Sequence, residues 1–112
     1  MKTKTKLIIY GLIHTIVMTL CVVYTALQES ILDAGYLFNY PWYWGTLVDT
    51  YLAFLCFYGW VAYCETKWLS RVIWFFAIMF LGNMAMGLYI VLRAQSLADD
   101  ATMADFLTKR KN

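Results

Sequence analysis

Charged residues are scarce in this sequence, and proline is nearly absent. Only 14% of the 112 residues are charged and one is proline, whereas 62% are hydrophobic and 19% are aromatic. A soluble domain has about 25% charged and about 45–50% apolar residues. So short a chain cannot bury this much apolar surface in a water-soluble fold. The shortage of charge excludes an ordinary soluble domain and indicates one membrane domain, 1–112, with no separate catalytic module.

Long stretches of the chain contain almost no charge. No Asp, Glu, Lys or Arg lies within residues 7–28 or 72–92, and residues 34–64 contain only Asp49. A helix crosses the hydrocarbon core of a bilayer with about 20 apolar residues. The sequence therefore predicts an all-α membrane protein, a compact bundle of three transmembrane helices. The predicted helices span about residues 7–27, 43–64 and 71–92.

Lys and Arg are also missing from the first predicted loop, which carries Glu29 and Asp33 instead. The leader MKTKTK has three lysines, and the second loop has Lys67 and Arg71. Because positively charged loops stay in the cytoplasm, we expect the N-terminus and second loop inside a bacterial inner membrane. The first loop and the C-terminus are then outside. The basic cluster 109–111 disagrees with an outside C-terminus. It lies about 17 residues beyond the last predicted helix, at the edge of the range over which the rule applies.

Two segments outside the predicted spans show weaker helical signals. The first loop, around ESILDAGYLF, has room for a short helix on the outer surface. In the polar tail 93–112, Ser96 followed by Asp99 resembles a helix start. Four tail residues share one face at helical spacing: Leu97, Ala101, Ala104 and Leu107. Two interpretations of the tail stay open: a short C-terminal surface helix that docks on a partner, and a frayed, solvated tail.

Asp49 is the one carboxylate inside a predicted span. From a rise of 1.5 Å per residue, Asp49 lies about 9 Å and Asn83 about 13 Å below the outer surface. The hydroxyl of Tyr24 can reach a similar depth. A bare carboxylate in lipid costs at least ~2.5–3.5 kcal/mol on insertion scales. The sequence therefore predicts a sheltered polar site in the outer half, formed by Tyr24, Asp49 and Asn83 with Thr46 and Thr50 beside them.

Small residues spaced by about four positions predict which helix faces meet, because they let helix backbones approach closely in lipid. Such stripes are Gly45, Asp49, Ala53 and Cys56 on the second helix, Gly11, Thr15 and Thr19 on the first, and Asn83 and Gly87 on the third. Asp49 is thus expected to face a neighbouring helix. Asp49 can have either a chemical role or a structural role as a hydrogen-bonding group, and the sequence leaves both open.

His14 is the only histidine, and we place it in the opposite half of the bilayer from Asp49. One histidine and three cysteines without a C-x-x-C pattern predict no metal site. No cofactor is predicted, although ligation of a haem or pigment by His14 alone stays open. At the inner turn, Glu65 and Arg71 are expected to form an ion pair across the helical hairpin. No catalytic residue is predicted.

A series of short motifs follows the first loop. In chain order they are Pro41-Trp42, GTLVD with Asp49, Trp60-Val61 before Tyr63 and Glu65, Trp68-Leu69 with Arg71, and Gly82-Asn83 before Tyr89-Ile90. In this order they resemble a family of small bacterial and plant integral membrane proteins of unknown function, over residues 41–92. The first helix matches only in hydrophobicity. The resemblance implies a helical membrane domain, and it assigns neither an activity nor a cofactor.

Three functions are compatible with these features. The first is a small multi-pass membrane protein that serves as an accessory or interaction subunit of a larger complex. The second is an oligomeric transporter or proton-coupled element that uses Asp49. The third is a membrane-embedded enzyme for a lipid or isoprenoid, which ranks last because only one carboxylate lies in the bilayer. We expect membrane lipids, other membrane subunits or a second copy as partners, and no nucleic acid.

Overall fold

A computed structural model describes residues 2–111, so Met1 and Asn112, the ends of the predicted domain and tail, lie outside the described residues. The described chain is helical and contains no strand, which confirms the all-α prediction. The α-helices are α1 Thr3–Gln28, α2 Pro41–Cys64, α3 Trp68–Leu81, α4 Asn83–Gln95 and α5 Met103–Thr108, and a 3-10 helix spans Ile31–Asn39.

Two helices, α1 and α2, could span a membrane by length and composition. They have 26 and 24 residues, and their most apolar windows have mean hydropathies of 2.2 and 1.4. A core helix of a soluble protein would be mostly buried, but only 11% of the α1 window and 17% of the α2 window is buried. By length, hydropathy and exposure, α1 and α2 could therefore cross a membrane.

The predicted continuous helix over residues 71–92 is not formed. It is divided at Gly82, which ends α3 and precedes α4 with φ 57° and ψ −122°. The rings of Trp74 and Tyr89 then meet edge to face, with centroids 4.8 Å apart. Fifteen residues along a straight helix would separate them by about 22 Å. The chain therefore reverses at Gly82, and α3 and α4 form a helical hairpin.

Because α4 runs back, the first and last described residues lie at the same end of the molecule. Lys4 Nζ donates to the carbonyl oxygen of Leu97 at 3.0 Å, just beyond α4. The backbone N–H of Lys111 donates to the carbonyl oxygen of Cys64 at 2.9 Å, at the end of α2. The sequence had predicted the two termini at opposite ends. All nine Lys and Arg residues belong to segments at this end, which we call the basic end.

Helix α1 packs on α4 through two glycines. A Cβ atom on Gly87 would lie 3.0 Å from the carbonyl oxygen of Gly11, and a Cβ on Gly11 would lie 2.6 Å from Val91 Cγ2. Larger residues would force these backbones apart. The small-residue stripes predicted on the first and third helices therefore face each other, while α2 packs on the α3–α4 hairpin through Phe54 and Val61.

The two weaker helical signals correspond to short helices. The Ser30 hydroxyl accepts from the N–H of Leu32 to begin the 3-10 helix. The Tyr36 hydroxyl donates to Glu29 Oε2 at 3.1 Å, and this hydrogen bond raises the pKa of Tyr36 above its ordinary value. In the tail, Thr102 and Asp105 form a capping box, so the N-cap of α5 is Thr102 and not Ser96.

Candidate functional site

Asp49 lies on an exposed face of α2. The buried side of this helix is marked by Phe54, Val61 and Cys64. Asp49 precedes Phe54 by five residues, which is a rotation of about 140° around the helix axis. Within the described residues, no side chain donates a hydrogen bond to its carboxylate, and the ion pairs involve only Asp99 and Glu65. The carboxylate therefore points away from the core without a partner.

The structure does not bring Tyr24, Asp49 and Asn83 together. Tyr24 is 69% exposed on the part of α1 that extends past the hairpin. Thr46 donates its hydroxyl hydrogen to the carbonyl oxygen of Trp42 at 2.8 Å, within α2, and Thr50 is half-buried. The prediction assumed a straight third helix that carries Asn83 to the far surface. Asn83 instead begins α4, which turns back toward the basic end.

The small-residue stripe of α2 is also uncovered. Its four members are all exposed, namely Gly45, Asp49, Ala53 and Cys56. A Cβ atom added to Gly45 would meet only Trp42 of the same helix, at 4.0 Å. We call this stripe the Asp49 face. The prediction that it packs on a helix of the same chain does not hold, because α2 uses its other side to contact the hairpin.

His14 and Asn83 form a polar contact between α1 and α4. His14 Nε2 lies 3.1 Å from Asn83 Oδ1, and the Tyr10 hydroxyl lies 3.5 Å from His14 Nδ1. An amide oxygen can only accept, so Nε2 is the donor to Asn83, and in a neutral imidazole Nδ1 is then the nitrogen that can accept from the Tyr10 hydroxyl. The pair borders a cavity of about 450 Å³ whose wall also includes Val17 and Cys21.

This arrangement bears on ligand binding by His14. Since both ring nitrogens already have polar neighbours, a haem or pigment metal would have to displace Asn83 or Tyr10. Over residues 2–111 there is no group of three or more His, Cys, Asp or Glu side chains that could hold a metal ion. The contact can hold α1 against the start of α4.

Glu65 is buried at the basic end, but its carboxylate is not paired with Arg71. It accepts from the Tyr89 hydroxyl at 2.9 Å and lies 2.8 Å from Lys111 Nζ. The Arg71 guanidinium donates instead to the backbone oxygens of Glu65 and Ala62, at 2.7 and 3.0 Å. Arg71 therefore caps the last carbonyls of α2, which have no partner within the helix.

The tail is held against α2 and α4 by side chains that donate to its carbonyl groups. Arg93 is only 4% exposed and donates to the carbonyl oxygens of Phe106 and Lys109. Its guanidinium lies 5.5 Å from the centroid of the Trp60 ring, and Trp60 Nε1 donates to the Leu107 oxygen at 2.8 Å. This role of Arg93 has no signal in the sequence, because its partners lie more than ten residues away along the chain.

A family model described as a protein of unknown function (DUF1475) matches residues 2–111. The match confirms the expected relation to a family of unknown function and extends it from 41–92 to the first helix and the tail. Neither the curated proteins nor the solved structures that were compared with the chain give a match.

Proposed function

The chain belongs to the DUF1475 family of unknown function, and we propose that it is a small integral membrane protein that acts as an accessory subunit. In this proposal it docks on a transmembrane helix of a partner through the Asp49 face. The observation that carries the proposal is the exposed, unpartnered Asp49 on a helix that is otherwise almost wholly apolar.

A carboxylate that faces acyl chains costs at least ~2.5–3.5 kcal/mol on insertion scales, and polar side chains within membranes therefore usually face protein. Gly45 and Ala53 lie one turn to either side of Asp49, and small residues allow a second helix backbone to approach closely. A partner helix on this face would shelter the carboxylate and pack against the two small residues.

The proposal includes a membrane arrangement. Helices α1 and α2 cross the bilayer, and the basic end lies at the cytoplasmic surface, as expected for Lys and Arg. With 14 residues, α3 is about 21 Å long, which is too short to cross a core of about 30 Å. The α3–α4 hairpin therefore enters from the cytoplasmic side and returns to it.

The position of the hairpin apex supports this arrangement. Gly82 lies against Phe54, and Asn83 contacts His14. Both partners are about 15–16 Å along their helices from the basic end, near the middle of the bilayer. Non-helical backbone is tolerated at that depth only where protein buries it, and Gly82 is buried.

Site-specific photo-crosslinking in native membranes tests the docking. We expect p-benzoylphenylalanine at Ala53 to form adducts with a protein, because Ala53 lies on the Asp49 face. The same group at Leu55 is the matched control, since Leu55 is also exposed on α2 but lies away from that face. It should react only with lipid. Equal reaction of both positions with protein, or of neither, would contradict the proposal.

One observation favours the second candidate, an oligomeric transporter. Asn83 opens a broken helix beside a cavity near mid-depth, and transporters place substrate sites at such breaks. The same crosslinking separates the candidates. An adduct with twice the mass of the chain would favour the oligomer, and an adduct with a different protein would favour the accessory subunit.

A further inference from the structure

The carboxylate of Asp49 has no cation within reach in its own chain. Asp49 precedes Cys64, the last residue of α2, by fifteen residues, a distance of about 22 Å along the helix. All nine Lys and Arg residues lie at or beyond that end. The half of the molecule that contains Asp49 therefore has acidic side chains but no basic one.

A second copy of the chain cannot supply the missing charge. Two copies inserted with the same orientation would place α2 beside α2 in parallel, with Asp49 opposite Asp49. Like charges in one poorly solvated site repel each other, so this arrangement would leave both carboxylates without a favourable partner. The nine cations of the second copy would again lie at the basic end, far from the carboxylate.

The neighbouring hydroxyl of Thr46 on α2 does not donate a hydrogen bond to the Asp49 carboxylate either. The Thr46 hydroxyl, one turn before Asp49, already donates to the carbonyl oxygen of Trp42 at 2.8 Å. Val48 and Leu52 border the face and are 57% and 62% exposed. Apart from Thr46 and Thr50, the carboxylate thus has apolar side chains and small residues as neighbours along α2, and it is exposed.

We propose that the partner is a transmembrane helix of a different protein that carries one Lys or Arg at the depth of Asp49. This inference rests on the accessory role proposed above and names the chemistry of its partner. A basic side chain within the bilayer carries a similar insertion cost to that of a carboxylate. Contact between the two side chains lowers the free-energy cost of inserting each of them into lipid. It also fixes the depth at which the two helices meet.

The test uses the full chain, labelled with a fluorescent donor, in lipid vesicles with acceptor-labelled transmembrane peptides. Three leucine–alanine peptides of fixed orientation are compared: one with a single Lys at the depth of Asp49, one with that Lys moved by two turns, and one without it. We expect the matched peptide to bind about tenfold more tightly than the other two, which corresponds to about 1.4 kcal/mol.

Two variants assign the effect to the carboxylate. Asp49→Asn should lose the preference for the matched peptide, because it keeps the size of the side chain and removes the charge. Asp33→Asn removes an exposed carboxylate from the 3-10 helix and should keep the preference.

The other outcomes overturn the inference in distinguishable ways. Equal binding of the three peptides, or binding of none, would exclude a basic partner. If Ala53 still gave protein adducts in native membranes, the accessory role would remain. Association of the labelled chains with each other in vesicles without peptide, lost in Asp49→Asn, would identify a second copy as the occupant.

Discussion

Gly82 is the residue at which the third apolar stretch turns back. Its φ of 57° and ψ of −122° are values that residues with a Cβ atom rarely adopt. A Cβ atom there would also lie 2.7 Å from Cζ of the Phe54 ring. Backbone conformation and packing therefore both require glycine at the apex, and the position of α4 depends on it.

We predict that Gly82→Ala lowers the free energy of unfolding by roughly 1–3 kcal/mol, the usual cost of one residue held in an unfavourable backbone region. Titration with sodium dodecyl sulfate in mixed micelles, followed by tryptophan fluorescence, measures this change. Gly59→Ala is the control, because a Cβ at Gly59 meets nothing within 4 Å and alanine is the better helix former. Equal stability of the two variants would contradict the assigned role of Gly82.

Single residues could be identified from the sequence more readily than their partners. His14, Asp49 and Asn83 stand out because each interrupts an apolar stretch. Asn83 was predicted to lie near Asp49 because the third helix was expected to be straight. The positive φ at Gly82, which turns the chain back, cannot be detected in a hydropathy profile. The contact between Asn83 and His14 follows only once α4 is known to return toward the basic end.

The long helices were the elements that sequence predicted well. The predicted spans 7–27 and 43–64 correspond to Thr3–Gln28 and Pro41–Cys64. Proline suits the first turn of a helix, and charged residues border the first stretch at both ends and the second stretch at its end, Glu65. The attachment of the tail could not be predicted in this way. It rests on Trp60, Glu65 and Arg93, whose contacts are made by tertiary packing and have no sequence periodicity.

We predict that Arg93→Met weakens the attachment of α5 to the rest of the molecule. The change leaves the carbonyl oxygens of Phe106 and Lys109 without their donor, and the loss of such hydrogen bonds costs about 1–3 kcal/mol. Hydrogen–deuterium exchange should then be about tenfold to a hundredfold faster for the amides of residues 103–111. The control Lys109→Met removes an exposed charge and should leave exchange unchanged. Unchanged exchange in Arg93→Met would show that Arg93 does not hold the tail.

The whole molecule has a strong asymmetry of charge. The cluster 109–111 opposed the topology predicted from sequence, because three complete spans would carry it to the far side. In the structure the hairpin returns the chain, and the cluster joins Lys4 and Lys67 at the basic end. Hydropathy measured the apolar length of the third stretch correctly, but length alone does not distinguish a crossing helix from a hairpin.

The most direct test of the account is the side of the membrane on which each segment lies. Single cysteines are placed at Gly35, Lys67 and Asp99 in a chain whose native cysteines are replaced by serine, and intact cells are treated with an impermeant maleimide. We predict that Gly35→Cys is labelled from outside and that Lys67→Cys and Asp99→Cys are labelled only after permeabilisation. Labelling of Asp99→Cys from outside together with Gly35→Cys would show a third complete crossing and contradict the account.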